Sequence, residues 1–333
     1  MRLTIGTRAS KLAMTQTQWI VQRLRQQWPS LEIVVEHIHT TGDRVTNVPL
    51  SQIGTDGIFV TEIERALHEG RIDLGVHSLK DLPTVQPDDL RLVIVGPRED
   101  VRDVFVSREP FQLEDRRLQP VAATNFSPAS LRIGTCSLRR TAQLRDFAPE
   151  SSILSLRGNV DTRLRKLDAG EYDGIVLAAA GLHRLGLQEQ LADRLTYLPV
   201  ELMLPAPGQG ALALECRADD RILELLAPLR DAEVEATTTA ERMFMRRLGA
   251  GCYLPVAAHS TIANQTLSIA GIVASLDGQR RIRVQQAISW NEHSTLAEAD
   301  QLGVSLAESA LVQGAQEIIQ ELTLPRDRER LNV

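Results

Sequence analysis

The predicted fold depends on the segment Leu204-Pro205-Ala206-Pro207-Gly208 and on the largely apolar run from Ala211 to Glu215 that follows it. Two prolines close to a glycine interrupt regular structure, so the stretch is predicted to be a crossover. The run after it is predicted to return as a strand to a sheet formed by the first residues of the chain. A chain that leaves one sheet, builds a second and returns to the first forms two α/β lobes with a cleft between them.

The residues before this crossover alternate β-rich runs with runs of helical periodicity, which is the order of α/β structure. In the first lobe, the predicted strands are Leu3 to Gly6, Ile33 to Ile38, Leu74 to Val76 and Leu92 to Val95, and the predicted helices are Lys11 to Gln27 and Phe59 to Glu69, the latter stopped by Gly70. In the second lobe, the predicted strands are Phe105-Val106, Ile133-Gly134, Ile153 to Ser155 and Ile175 to Leu177, and the predicted helices are Leu138 to Phe147 and Val160 to Ala169.

The last part of the chain predicts a small α+β domain. A long helix from Asp231 to Leu248 precedes alternating strands at Val256 to Thr261, Leu267 to Val273 and Ile282 to Ile288, and a final helix from about Leu302 to Glu321. The predicted division is therefore a first domain of residues 1–97 and 202–226, a second of residues 98–201 and a third of residues 227–333.

Composition restricts the class of protein. The 333 residues are too many for one ordinary compact core, and 43% apolar residues is typical of a folded protein. A formal charge of −6 disfavours a general nucleic-acid or membrane binder, because such proteins usually present a basic face. The first residues lack the pattern of a secretion signal, and three widely spaced cysteines favour neither disulfides nor a metal site. A cytoplasmic protein without a metal is expected.

Three strand-to-helix turns carry groups suited to binding anions. The first, Gly6-Thr7-Arg8-Ala9-Ser10, offers backbone amides at a helix start beside an arginine, and Gly134 to Arg140 repeats the arrangement. The third is the segment Ser155 to Arg163, and Arg184 is a further candidate. Arginine binds carboxylates with a planar fork and stays charged, so the set predicts a small ligand rich in carboxylates. Taken singly, either of the first two turns is better explained as a capped helix beside solvated arginines.

The segment Val76 to Pro83 places an imidazole, a hydroxyl, an amine and a carboxylate directly after a predicted strand. Asp81 is a candidate general acid/base or cation-stabilising group. The alternative is that Lys80 and Asp81 form an exposed ion pair and that His77 packs in the core, and for His77 the core is favoured.

Cys252 follows glycines that leave its sulfur approachable, and an accessible thiolate is a strong nucleophile. No histidine adjoins it, which disfavours a cysteine hydrolase. Free cysteines are more often small buried hydrophobic residues, and this is expected of Cys136 and Cys216. For Cys252 the spacing leaves both interpretations open.

Taken together, these segments resemble the porphobilinogen deaminase family, the hydroxymethylbilane synthases of tetrapyrrole synthesis. The resemblance runs in order from Gly6-Thr7-Arg8 to Cys252-Tyr253-Leu254-Pro255, and the remaining residues match only in pattern. Its most specific motifs are His77 to Pro83, Thr135 to Arg140, Leu156 to Val160 and Leu204 to Gly210.

The resemblance implies a transferase of three domains, the first two paired like the halves of a type II periplasmic solute-binding protein. It implies head-to-tail condensation of four porphobilinogen molecules with loss of ammonia, and hydrolytic release of hydroxymethylbilane for haem and chlorophyll synthesis. It also implies a dipyrromethane cofactor, made from the enzyme's own substrate and attached through a thioether to Cys252. A cytoplasmic monomer that binds neither nucleic acid nor membrane is expected.

The resemblance further implies roles for individual residues. Asp81 is implied to hydrogen-bond pyrrole N–H groups, to stabilise the azafulvenium cation left when ammonia departs, and to move protons. Cofactor binding is implied for Ser78, Lys80, Asp81, Thr135, Ser137, Arg139, Arg140, Arg157, Gly158, Arg184 and Cys252. Substrate binding is implied for Arg8, Ser10, Gln16, Arg157 and Arg163.

The chain departs from the family pattern in two places. In the loop Ile53 to Phe59, Asp56 stands where many members have a lysine, and Thr61 stands where another lysine follows. Asp56 would repel bound carboxylates, so it is left out of the predicted binding set. Cys136 stands where serine is usual.

Two other classes of protein compete with this interpretation. A two-lobed binding module without chemistry explains the paired lobes and the arginines but gives no use to Cys252 or to the third domain. A transcription factor of the same two-lobed fold is less favoured, because no helix-turn-helix segment precedes the first strand.

Overall fold

The computed structural model describes residues 2–40, 60–122, 127–249, 251 and 254–323. In chain order its strands are β1 (Arg2–Arg8), β2 (Glu32–Ile38), β3 (Leu74–Ser78), β4 (Leu90–Val95), β5 (Asp103–Ser107), β6 (Phe111–Glu114), β7 (Arg117–Pro120), β8 (Arg132–Gly134), β9 (Ser152–Leu154), β10 (Gly174–Ala178), β11 (Leu195–Leu198), β12 (Leu212–Arg217), β13 (Val256–Ala263), β14 (Thr266–Ala274) and β15 (Arg281–Ser289). Its α-helices are α1 (Lys11–Gln27), α2 (Thr61–His68), α3 (Leu138–Phe147), α4 (Val160–Asp168), α5 (Ala179–Arg184), α6 (Asp220–Leu226), α7 (Ala232–Arg247), α8 (Leu296–Val312) and α9 (Ala315–Thr323).

The first sheet has the strand order β2-β1-β3-β12-β4, and β12 lies antiparallel to both of its neighbours. In this register Leu214 is paired with Val76 on one side and with Val93 on the other. The strand predicted to return after the crossover is therefore confirmed. It lies inside the sheet with both of its edges hydrogen-bonded, and every residue from Leu212 to Cys216 is buried.

The second sheet has the order β11-β5-β10-β8-β9, with β5 antiparallel to β10 and to β11. Its centre is tightly packed: a Cβ added to Gly174 would lie 2.0 Å from Cζ of the fully buried Phe105. Residues 96–102 lead into this sheet from β4, and residues 199–211 lead back from β11 to β12. The predicted two-lobed α/β fold is confirmed.

The third sheet, β13-β14-β15, is antiparallel, and α7 and α8 share one core with it. The two helices cross closely, because a Cβ added to Gly303 on α8 would lie 2.2 Å from the carbonyl oxygen of Ala240 on α7. This part of the chain is the predicted α+β unit.

One prediction of secondary structure was wrong, and several elements were not predicted, among them β11, α5 and α6. The single helix predicted from Leu302 to Glu321 is two helices, because a capping box of Thr295 and Glu298 begins α8 earlier and Gly314, with φ of +97°, ends the run. The hairpin β6–β7 was not predicted, since its turn adopts positive φ at Asp115 and Arg116 without a glycine. Within the described ranges, no helix combines the length and apolarity needed to span a bilayer.

Candidate active site

Asp81 lies on a short 3-10 turn, Leu79–Asp81, that directly follows β3. The turn is fixed by two hydrogen bonds: the Leu79 N–H donates to the Ala211 carbonyl at 3.0 Å, and the Leu82 N–H donates to the Leu79 carbonyl at 3.2 Å. Leu79 and Leu82 are fully buried, whereas Asp81 between them is exposed. The fold therefore presents the Asp81 carboxylate at the carboxyl end of a buried strand.

The predicted substrate residues of the first lobe lie beside this turn. The Ser10 hydroxyl caps α1 by accepting the Ala13 N–H at 3.2 Å. Further along α1, Gln16 is buried, and its side-chain amide donates to the Ser78 hydroxyl at 3.0 Å. Arg8 ends β1 half-buried. Because β1 and β3 are parallel neighbours, these side chains share one edge of the sheet.

Arg139 and Arg140, in the first turn of α3, are each only 6% exposed and bind an aspartate of their own lobe. Asp103 Oδ2 accepts from Arg139 Nη1 at 2.7 Å, and Oδ1 accepts from Arg140 Nη2 at 2.8 Å and from Nε at 3.2 Å. Further N–H groups donate at 2.8 Å to the carbonyls of Leu204 and Val176. Burial raises the pKa of Asp103, but the two guanidinium groups outweigh it and hold that pKa well below its usual range. The pair is thus held in place by the protein's own groups.

Gln209, on the connection back to the first sheet, joins the Asp81 turn to this arginine pair. Its side-chain amide donates to Asp103 Oδ1 at 3.0 Å, and its amide oxygen accepts from Lys80 Nζ at 3.2 Å. Burial lowers the pKa of Lys80 to about 8, while the Asp81 charge opposes this shift and the Arg140 charge reinforces it. Charged groups of the two lobes therefore lie close enough to act on one another across the cleft.

Arg163 on α4 brings a further cation to the same place. Its Nε donates to the Gly158 carbonyl at 2.7 Å, and Gly158 has a φ of +111° that other residues rarely adopt. Burial lowers the pKa of Arg163, and the nearby Arg140 charge lowers it further, while Cys136 and Asp81 oppose the shift. Arg163 of the second lobe and Asp81 of the first are therefore electrostatic neighbours.

The remaining predicted residues lie in two places: the strand-to-helix turns of the second lobe and the connection between the two sheets. The buried Thr135 hydroxyl accepts the Ser137 N–H at 3.2 Å in the turn before α3, and half-buried Arg157 precedes Gly158. Arg184 instead lies at the connection between the sheets: its Nη2 donates to the Gly210 carbonyl at 2.7 Å, and burial lowers its pKa to about 10.

His77, Cys136 and Cys216 were predicted to be buried, and two of these three predictions are confirmed. His77 is buried, with Nε2 3.1 Å from Oε2 of Glu215 on β12. Cys216 is fully buried, and burial raises the pKa of its thiol to about 11. The prediction that Cys136 is buried was wrong, because its turn borders the cleft and leaves it partly exposed near Arg163.

Cys252 and the loop Ile53 to Phe59, with Asp56, lie outside the described residues. Helix α7, which ends at Arg247, leads directly into the segment that carries Cys252. Thr61 is the first residue of α2.

We expect Asp103→Asn to destabilise the fold by about 3 to 5 kcal/mol, because it removes the counter-charge of two buried guanidinium groups. The matched control is Asp168→Asn, which breaks an exposed pair with Arg194 in the same lobe and should cost at most about 1 kcal/mol. Urea unfolding curves measure both values. Equal losses in the two variants would contradict the structural role of Asp103.

The fold and the site define a two-lobed α/β protein that gathers cations around the carboxylates of Asp81 and Asp103, followed by a small α+β unit. The family model described as "Porphobilinogen deaminase, dipyromethane cofactor binding domain" matches residues 3–224, and "Porphobilinogen deaminase, C-terminal domain" matches residues 236–312. The chain belongs to the porphobilinogen deaminase family.

Similar proteins agree with this over nearly the full chain. The porphobilinogen deaminase of Syntrophotalea carbinolica is 48% identical over 325 residues, which covers 97% of this chain and 96% of that protein. That of Roseiflexus castenholzii is 45% identical, with coverage of 95% and 98%. That of Geobacter sulfurreducens is 41% identical, with coverage of 96% and 95%.

Proposed function

We propose that this chain joins four porphobilinogen molecules head to tail, with loss of ammonia, and releases the linear tetrapyrrole hydroxymethylbilane by hydrolysis. The observation that supports this most is that Gln209 links Lys80, beside Asp81 on the turn of the first lobe, to Asp103, which holds the arginine pair of the second lobe. Cations suit the acetate and propionate groups of the substrate, and a carboxylate among them suits a cationic intermediate.

Incubation of the purified protein with porphobilinogen tests the proposal. We expect equimolar loss of substrate and release of ammonia, together with hydroxymethylbilane. A protein that binds porphobilinogen in equilibrium dialysis but releases no ammonia would instead be a binding module.

The residues of the cleft fit a dipyrromethane cofactor, whose side chains are carboxylates. Their positive charges outnumber their negative ones: the cations are Lys80, Arg139, Arg140 and Arg163, and the carboxylates are Asp81 and Asp103. The imbalance leaves positive charge for a ligand's acidic groups. When bound, the cofactor supplies the pyrrole carbon to which the first substrate molecule is joined. In this proposal Cys252 holds it through a thioether.

Asp81 accepts hydrogen bonds from pyrrole N–H groups, stabilises the cation left on porphobilinogen when ammonia departs, and takes up a proton. The side chains that hold the incoming substrate are those of Arg8, Ser10, Gln16, Arg157 and Arg163. The groups that hold the carboxylates of the cofactor and the growing chain are Ser78, Lys80, Thr135, Ser137, Arg139, Arg140, Arg157, Gly158 and Arg184. For Arg139 and Arg140, the contacts with Asp103 fix the orientation in which the remaining N–H groups meet a ligand.

The proposal includes the domain division made from the sequence, with residues 1–97 and 202–226, 98–201, and 227–333 as units. The strands of the first two sheets fall on either side of these boundaries, which supports it. It also includes action in the cytoplasm and a monomeric state. Sedimentation of the purified protein tests the monomeric state.

Arg163→Ala is expected to raise KM for porphobilinogen by about 10-fold or more, since one charge-assisted hydrogen bond contributes about 1.5 to 3 kcal/mol. Arg165→Ala is the matched control, because this arginine lies on the same helix but is exposed. Steady-state kinetics of the two variants give the two KM values. Identical KM values in both would remove Arg163 from the substrate site.

A further inference from the structure

Arg242, on helix α7, contacts the Asp81 turn from outside the first lobe. Its Nη2 donates to the Pro83 carbonyl at 2.6 Å, and its Nη1 lies 3.3 Å from the Leu82 carbonyl and 3.5 Å from the Leu79 carbonyl. These carbonyls lie on both sides of Asp81 in the chain. One guanidinium group therefore binds the backbone before and after the residue proposed to perform the chemistry.

The packing around this contact leaves the turn little freedom. Val234 of α7 shares a core with Leu79 and Leu82, so the helix is seated on the turn through apolar contacts as well. On another side, a Cβ added to Gly208 would lie 2.9 Å from Leu79 Cγ, which shows how closely the crossover approaches. The Asp81 side chain is exposed on this packed turn.

The acidic residue next to Arg242 in sequence, Glu241, has its own set of contacts. Glu241 is fully buried and accepts two hydrogen bonds from Arg98, at 2.9 and 2.8 Å. It also accepts the backbone N–H groups of Gly208 and Ser260. The contacts of Glu241 and the contacts of Arg242 with the turn are therefore separate.

We propose that Arg242 is a positioning residue: it fixes the carbonyls of the turn so that the Asp81 carboxylate meets the reacting pyrrole. It also ties the position of that carboxylate to the helix that leads into the Cys252 segment. The inference rests on the proposed role of Asp81. A displacement of about 1 Å in a reacting group costs about 100-fold in rate, so a backbone clamp of this kind affects catalysis without touching substrate.

Arg242→Gln is expected to lower kcat by about 10- to 100-fold while KM and the covalent cofactor stay as in the wild type. Arg247→Gln is the matched control, since this arginine of the same helix pairs with Glu308 at the surface, and it should leave kcat unchanged. Arg242→Lys keeps the positive charge but not the planar guanidinium group with its several N–H donors. Its kcat should therefore lie between those of the wild type and Arg242→Gln. Arg242→Lys also serves as the test if Arg242→Gln does not fold. A wild-type kcat in either foldable variant would overturn the proposal.

A double-mutant cycle with Asp81→Glu separates positioning from general destabilisation. Lengthening Asp81 by one methylene already misplaces the carboxylate, so Arg242→Gln should cost much less kcat in that background than in the wild type. The same factor in both backgrounds would overturn the role of Arg242 and leave that of Asp81 intact. Wild-type turnover in Asp81→Glu and in Asp81→Asn would instead contradict the proposed function of Asp81 itself.

Discussion

Asp81→Asn is expected to fold and to keep the covalent cofactor, but to lose turnover by about 10²- to 10⁴-fold. The amide has nearly the size of the carboxylate, yet it neither balances a cation nor takes up a proton. Folding should not depend on the lost charge, because the turn is anchored by buried Leu79 and Leu82 while Asp81 is exposed. Formation of hydroxymethylbilane, followed spectroscopically, measures the loss.

The matched control for this prediction is Asp88→Asn. Asp88 is an exposed aspartate further along the chain from the same turn, and its substitution changes the formal charge equally. It should keep wild-type turnover. Turnover near the wild-type value in Asp81→Asn would remove Asp81 from the mechanism.

Cys252→Ser is expected to lack the covalent pyrrole and to have no measurable turnover. A serine hydroxyl is a far weaker nucleophile than a thiolate, so the thioether cannot form and no pyrrole chain can be extended from it. Cys136→Ser is the matched control: it removes the partly exposed cysteine of the cleft and places there the serine that the family pattern usually has. The control should keep both the adduct and the activity, and turnover in Cys252→Ser would refute the attachment point.

Much of the fold was predictable because it depends on local signals. Helix α1 begins and ends where its apolar spacing and Ser10 predict, and α3 covers the predicted range Leu138 to Phe147. The return of β12 to the first sheet followed from the proline-rich crossover and a run with no exposed face. The Asp81 turn was equally visible, since a polar cluster directly follows a buried strand.

The contacts that organise the site were not predictable, because each joins residues far apart in sequence with no local pattern. Asp103 lies 36 residues from Arg139, and Arg242 lies 159 residues from Pro83. Gln209 belongs to one of the sequence motifs, but the sequence does not indicate that its side chain contacts Lys80 and Asp103. From the sequence, Arg139 and Arg140 were predicted to bind a ligand, but their contact with the Asp103 carboxylate was not predicted. The charge balance of the cleft has to include that carboxylate.

The proposed function requires this chain to carry a pyrrole cofactor on Cys252 and to extend it. Intact-mass spectrometry of wild-type protein, purified from cells that make tetrapyrroles and then given limiting porphobilinogen, detects both the cofactor and its extension. We expect a protein heavier than its sequence by one dipyrromethane, and a ladder of species that each gain one further pyrrole, with neither seen in Cys252→Ser. Wild-type protein with the unmodified mass and no ladder would show that Cys252 carries no pyrrole chain.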